Sequence, residues 1–99
     1  MASEAVKVVA KITAQHDKIK ELKSILLDLV GPTRTEKGCV SYQLLQNKTN
    51  ESEFVFIEEW TSDVAIDEHM TTSHVQYALS RARSLLAEAP DISRCLIIG

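Results

Sequence analysis

Residue types capable of acid–base chemistry gather in one stretch of this sequence. Glu58-Glu59-Trp60 is followed by His69 and His74, nine and fourteen residues beyond the tryptophan. A carboxylate beside aromatic rings is costly to ionise, so its pKa rises toward neutrality, where it can act as a base. Glu58 shares its strand face with Phe54, Phe56 and Trp60 and fits that description if the face points inward. The plainer reading of Trp60 is a core side chain whose indole N–H finds a partner. The plainer reading of both glutamates is solvation at a strand end. Each histidine alone reads as a helix-end group. On one unbroken helix a spacing of five would set them roughly 140° apart, poor for a shared metal, and no third ligand is apparent. The expectation is therefore no metal. Tyr42 is read as a ring in the core with a hydroxyl able to reach a ligand. Tyr77 and Arg81, four apart, share one side of a helix, and Arg34 and Arg81 are most simply solvated.

The elements that position these groups follow from periodicity. Val6, Val8, Ala10 and Ile12 alternate with Lys7, Val9 and Lys11 as in a strand. Asp17 is a candidate helix cap. Ile19, Leu22, Ile25, Leu26, Leu29 and Val30 form one stripe of an amphipathic helix, which Gly31-Pro32 should interrupt. Gly38 reads as a C-terminal glycine. Residues 39–60 read as a hairpin: a strand with Val40, Tyr42 and Leu44 on one face, a polar turn, then Phe54 to Trp60. Ser62 starts a short helix to about Met70, and Thr71-Thr72-Ser73 breaks it. Ser73 is expected to cap a second helix, to about Glu88, with Val75, Leu79, Ala82 and Leu86 inside. Ile92 to Ile98 is a last strand. The order β-α-β-β-α-α-β predicts an α+β, ferredoxin-like split βαβ fold with an antiparallel sheet. Val9, Leu45, Val55 and Ile57 then fall on a face that the helices cannot cover, which predicts a homodimer.

Composition bounds the reading. The 99 residues suit a single domain spanning 1–99. A net charge of −3 with scattered Lys and Arg argues against nucleic acid and anionic membranes. No apolar run approaches the ~20 residues of a membrane span. Met1-Ala2-Ser3-Glu4-Ala5 lacks the pattern of a leader, and the expected location is cytoplasmic. Cys39 and Cys95 sit in strand-like sequence, where thiols behave as small hydrophobes. Phosphate loops, nucleotide fingerprints, Cys-x-x-Cys and Gly-x-Ser-x-Gly are missing, so no nucleotide cofactor or conventional nucleophile is expected.

The run Thr33-Arg34-Thr35-Glu36-Lys37-Gly38-Cys39-Val40-Ser41-Tyr42, with Glu58-Glu59-Trp60, Ala65, His69 and Thr72-Ser73-His74, resembles the antibiotic biosynthesis monooxygenase family. The resemblance covers essentially the whole chain. It departs at Lys37, where the family usually has Pro, and at Gln15-His16-Asp17, which lacks a common Pro-Gly; both are loop positions. It implies a dimeric α/β barrel and oxidation of a small aromatic, phenolic or quinol substrate by dioxygen, without metal, flavin or haem. On that implication His69, Glu58 and Trp60 are catalytic, with His69 or Glu58 as base. Tyr42, His74, Phe56 and Tyr77 would bind substrate. Some relatives degrade haem and need an Asn on the first strand, which Val6 to Ile12 lacks. Others isomerise small phosphorylated sugar-like molecules and share the His-x-x-x-x-His stretch. A ligand-binding dimer without turnover is the third reading, because fold does not fix function.

Overall fold

The alternation at the N-terminal end of the chain forms the strand it predicts, and that strand organises the rest. The computed structural model describes residues 5–99; Met1 to Glu4, read above for a leader, lie outside them. The elements in order are β1 (Val6–Thr13), α1 (Ile19–Leu27), α2 (Val30–Arg34), β2 (Cys39–Gln46), β3 (Glu53–Trp60), α3 (Asp63–Met70), α4 (Ser73–Ala82), a 3-10 turn (Arg83–Leu85) and β4 (Asp91–Leu96). The strands form one antiparallel sheet in the order β2-β3-β1-β4. This is the ferredoxin-like α+β arrangement expected, with the helices on one face. Among the described residues no helix is long and apolar enough to cross a membrane.

The core lies between that face and the helices. Val6, Val8 and Ala10 of β1 and Phe54, Phe56 and Trp60 of β3 point into it, against Leu22, Ile25, Leu26 and Leu29 near α1 and Val75, Ala78 and Ala82 of α4. Full burial of each large side chain contributes about 1.5–3 kcal/mol. On the opposite sheet face Val9 and Leu45 are exposed while Val55 and Ile57 are half-buried. Lys7–Glu59 and Lys11–Glu53 ion pairs, each 3.1 Å, flank them.

Several local expectations are corrected. Lys18, not Asp17, stands at the start of α1, and no side chain caps it. The first helical run breaks at Asp28-Leu29, because Pro32 supplies no N–H to the Asp28 carbonyl and its ring crowds that group. Val40 is exposed: the β2–β3 register shifts between Cys39 and Ser41, so a bulge turns Val40 out of the row of Tyr42 and Leu44. Thr72, not Ser73, caps α4, accepting from the Val75 N–H. α4 ends at Ala82, short of Glu88, and Ala78 replaces Leu79 in its buried stripe. Ser62 caps α3 as expected, accepting from the Ala65 N–H at 3.2 Å.

Gly38 has no left-handed backbone to explain it. It is needed for space. A Cβ built there would stand 2.3 Å from the Ala65 Cβ, so the start of β2 lies directly against α3.

Candidate functional site

The period of two in β3 sends Phe56, Glu58 and Trp60 to the same inner face. At that spacing the Trp60 indole N–H donates to Glu58 Oε1 at 2.8 Å, with both side chains buried. Burial pushes the Glu58 carboxyl up to about 7. The Trp60 hydrogen bond acts against that rise, and the nearby charge of Glu36 adds to it. A carboxyl so poised is divided between acid and base near neutral pH.

Tyr42 pairs with Glu58 across the β2–β3 ladder and is 3% exposed. Its ring packs on Phe56 with centroids 4.9 Å apart. Burial first, then the Glu58 charge, drive its hydroxyl pKa far above the usual tyrosine value, so it stays a protonated donor. The nearby Thr33 hydroxyl is buried without a hydrogen-bond partner. Burial and the charges of Glu36 and Glu58 also raise the Cys39 pKa, which keeps it a thiol and a poor nucleophile.

His69 closes the cluster from the last turn of α3. It is 5% exposed, with ring centroids 4.6 Å from Trp60 and 5.8 Å from Tyr42. The break after Met70 changes where His74 points. Thr72 donates its hydroxyl to the His69 carbonyl at 2.7 Å while capping the next helix. The chain turns there, and the two imidazoles converge on one carboxylate. Glu36 Oε2 lies 2.7 Å from His69 Nδ1 and 2.7 Å from His74 Nε2. A carboxylate accepts, so the ring nitrogen that each histidine turns toward Glu36 Oε2 acts as the donor in these contacts.

Six of the seven site residues read from the sequence are thus gathered: Tyr42, Phe56, Glu58, Trp60 and His69 in the interior, His74 at its margin. Tyr77 is not among them. It is 64% exposed and lines the groove between α1 and α4 with His74 and Arg81, whose guanidinium lies over its ring at 5.4 Å. α4 turns its Val75–Ala78–Ala82 stripe inward, which leaves position 77 facing out. Arg34 is not free either: its Nε and Nη2 donate to the Tyr42 carbonyl at 3.1 and 2.9 Å. The residue that the site reading missed is Glu36. Its one sequence signal is its place two positions before Gly38 and three before Cys39, in the turn pressed against α3.

An open recess of about 220 Å³ leads toward this cluster, lined by Glu36, Lys37, Gly38, Trp60, Glu68 and Thr72 among others. Drug-sized ligands occupy pockets of roughly 300–1,000 Å³, so the recess suits a smaller molecule. The arrangement sets a buried imidazole, a near-neutral carboxyl and a protonated phenol around one aromatic floor.

A profile of the antibiotic biosynthesis monooxygenase family matches residues 5–81. YcnE of Bacillus subtilis, provisionally named a monooxygenase, is 31% identical over 85 residues, covering 86% of this chain and 90% of its own. The sll1783 protein of Synechocystis is 29% identical over 91 residues, 92% of this chain, and the chain spans 62% of that relative's length. The crystal structure of PA3566 from Pseudomonas aeruginosa superposes with a TM-score of 0.94 at 29% identity, covering 100% of this chain and 99% of that one.

Proposed function

The chain belongs to the antibiotic biosynthesis monooxygenase family, and from that premise we propose that it oxidises a small phenolic or quinol substrate with dioxygen and no resident cofactor. The observation that carries this reading is His69, buried against Trp60 and held by Glu36 through Nδ1, which leaves proton uptake from the substrate to Nε2. Removing a proton from the substrate leaves an electron-rich anion that reduces dioxygen itself. Carbon–oxygen bond formation then gives a hydroperoxide. Loss of water from it leaves a ketone or quinone, so one oxygen atom ends in product and one in water. Tyr42, held protonated, donates to the developing oxyanion. Glu36 stabilises the imidazolium formed on His69, as a buried carboxylate does in other His-based sites. Glu58 is the alternative base, and its hydrogen bond from Trp60 fixes its orientation.

The recess volume favours one- or two-ring substrates over three-ring anthrones. Phosphorylated substrates would need cationic anchors. Arg34 is committed to a backbone carbonyl and Arg81 lines the groove between α1 and α4, so a phosphate in the recess would meet Lys37 against the two carboxylates of Glu36 and Glu68, which disfavours the isomerase reading. Two sheets packed face to face would complete a homodimer, an arrangement favoured by the apolar patch around Val9 and Leu45. The deciding measurement is oxygen uptake by chelator-treated protein with a panel of hydroquinones and anthrones. Uptake is expected with the smaller quinols, and His69→Ala should lower it by about 10²–10⁴-fold, the usual worth of a general base. No uptake above the uncatalysed rate with any substrate would leave a binding protein without turnover.

A further inference from the structure

We propose that Glu36, His69 and His74 form a binding site for a divalent transition-metal ion. The sequence spacing spoke against a shared ion, because a continuous helix would have splayed the histidines. The interruption between α3 and α4 at Thr71-Thr72 removes that objection, and Glu36 supplies the third ligand from 33 positions before His69. The three donor atoms all lie within 4.8 Å of one another. Two imidazoles and one carboxylate make a three-ligand set that leaves coordination positions open for water or a small ligand. With no thiolate in the set, the fitting ions are zinc, cobalt, nickel, copper and ferrous iron; magnesium and calcium prefer all-oxygen sites.

As they stand, both histidines are hydrogen-bonded to Glu36, whose Oε2 lies 2.7 Å from each nitrogen. Bonds of about 2.0–2.2 Å to an ion set ligand atoms roughly 3.0–3.5 Å apart. The oxygen must therefore recede slightly and the two nitrogens must close up. The parts that have to move are the freer ones. Glu36 lies in the turn before β2 and His74 in the first turn of α4, and their side chains are 15% and 23% exposed against 6% for His69. An ion can approach from two sides. Glu36, Glu68 and Thr72 line the 220 Å³ recess. On the other side, His74 lines a groove between α1 and α4 together with Asp28.

Occupancy has a chemical consequence for the oxygenase reading, on which this one step rests. A neutral imidazole bound to metal through Nδ1 carries its proton on Nε2. His69 would then offer a donor where proton abstraction needs an acceptor, so the ion would inhibit turnover.

Chelator-treated protein titrated with cobalt(II) tests the site without reference to activity. The expected result is one ion per chain, visible bands of a nitrogen–oxygen ligand field and no sulfur charge-transfer band. Glu36→Gln and His74→Ala should each weaken binding by about tenfold or more, with unchanged far-UV circular dichroism. His16→Ala, at an exposed position far along the chain, should bind as the parent does. Absence of binding at millimolar cobalt would overturn the proposal. So would affinity untouched by Glu36→Gln and His74→Ala, or a thiolate band placing the ion on Cys95. A zinc titration of oxygen uptake separates the two ideas. Inhibition with the midpoint of binding supports both. Binding without inhibition removes the consequence for His69 and leaves the site.

Discussion

Glu58 is a carboxyl group that the fold stabilises in its protonated form. Its folded pKa is about 7 against an ordinary value of 4.5, with burial as the main cause. The folded state therefore holds a proton that the unfolded chain releases earlier. Stability falls as pH rises from about 4.5 through about 7, and the loss is on the order of 2–3 kcal/mol by linkage. Glu58→Gln keeps a carbonyl oxygen to accept the Trp60 N–H and removes the ionisation. Urea midpoints measured at pH 5 and pH 8 should show the variant gaining on the parent at the higher pH. Parallel profiles for the two proteins would mean that Glu58 is solvated. Trp60→Phe removes the hydrogen bond that favours the charged form, so it should raise the Glu58 pKa further, as read by carbon-13 titration of the carboxyl.

At the scale of elements, the site depends on how closely β2 approaches α3, and Gly38 sets that approach. In Gly38→Ala the new methyl meets the Ala65 Cβ at 2.3 Å, far inside the ~3.5–4.0 Å of carbon contact. The expected cost is about 1–3 kcal/mol, the usual range for overpacking. Ala65→Gly alone should cost up to about 1 kcal/mol through helix propensity. Combined, the two should be less harmful than their sum, because the opposing methyl is gone. Strict additivity in urea denaturation would place the constraint elsewhere, for instance on Thr61 Oγ1, 3.2 Å from the same point. This junction also shows what the sequence could disclose. Phe56, Glu58 and Trp60 were legible because a two-residue period fixes a strand face locally. The break at Thr71-Thr72 was legible because hydroxyl residues cap helices. Glu36 was not, since its partners lie 33 and 38 positions away and meet it only after α3 and α4 pack. Tyr77 stands apart from the buried cluster because the inner stripe of α4 runs through Val75, Ala78 and Ala82 and leaves position 77 exposed.

At the scale of the molecule, the sheet has one covered face and one bare one. Val9 on the inner strand β1 and Leu45 on the edge strand β2 are 38% and 47% exposed on the bare face, beside the half-buried Val55 and Ile57. The flanking Lys7–Glu59 and Lys11–Glu53 pairs neutralise their own charges within the sheet, so a second copy meets an apolar centre and a rim of balanced charge. A face that serves both copies in this way suits a two-fold dimer. About 800 Å² per partner is the usual scale of a stable interface, and four adjacent strands offer a surface of that order. The chain should therefore sediment as a dimer at micromolar concentration. Val9→Glu combined with Leu45→Glu should give a monomer whose far-UV circular dichroism is unchanged, because both side chains lie outside the core between sheet and helices. The monomer should also melt at a lower temperature at high protein concentration, since association stabilises the folded state by mass action. A parent protein that sediments as a monomer would mean that the bare face binds something other than a second copy. A double variant that stays dimeric would move the interface to β4, where Ile92 and Leu96 are 51% and 60% exposed.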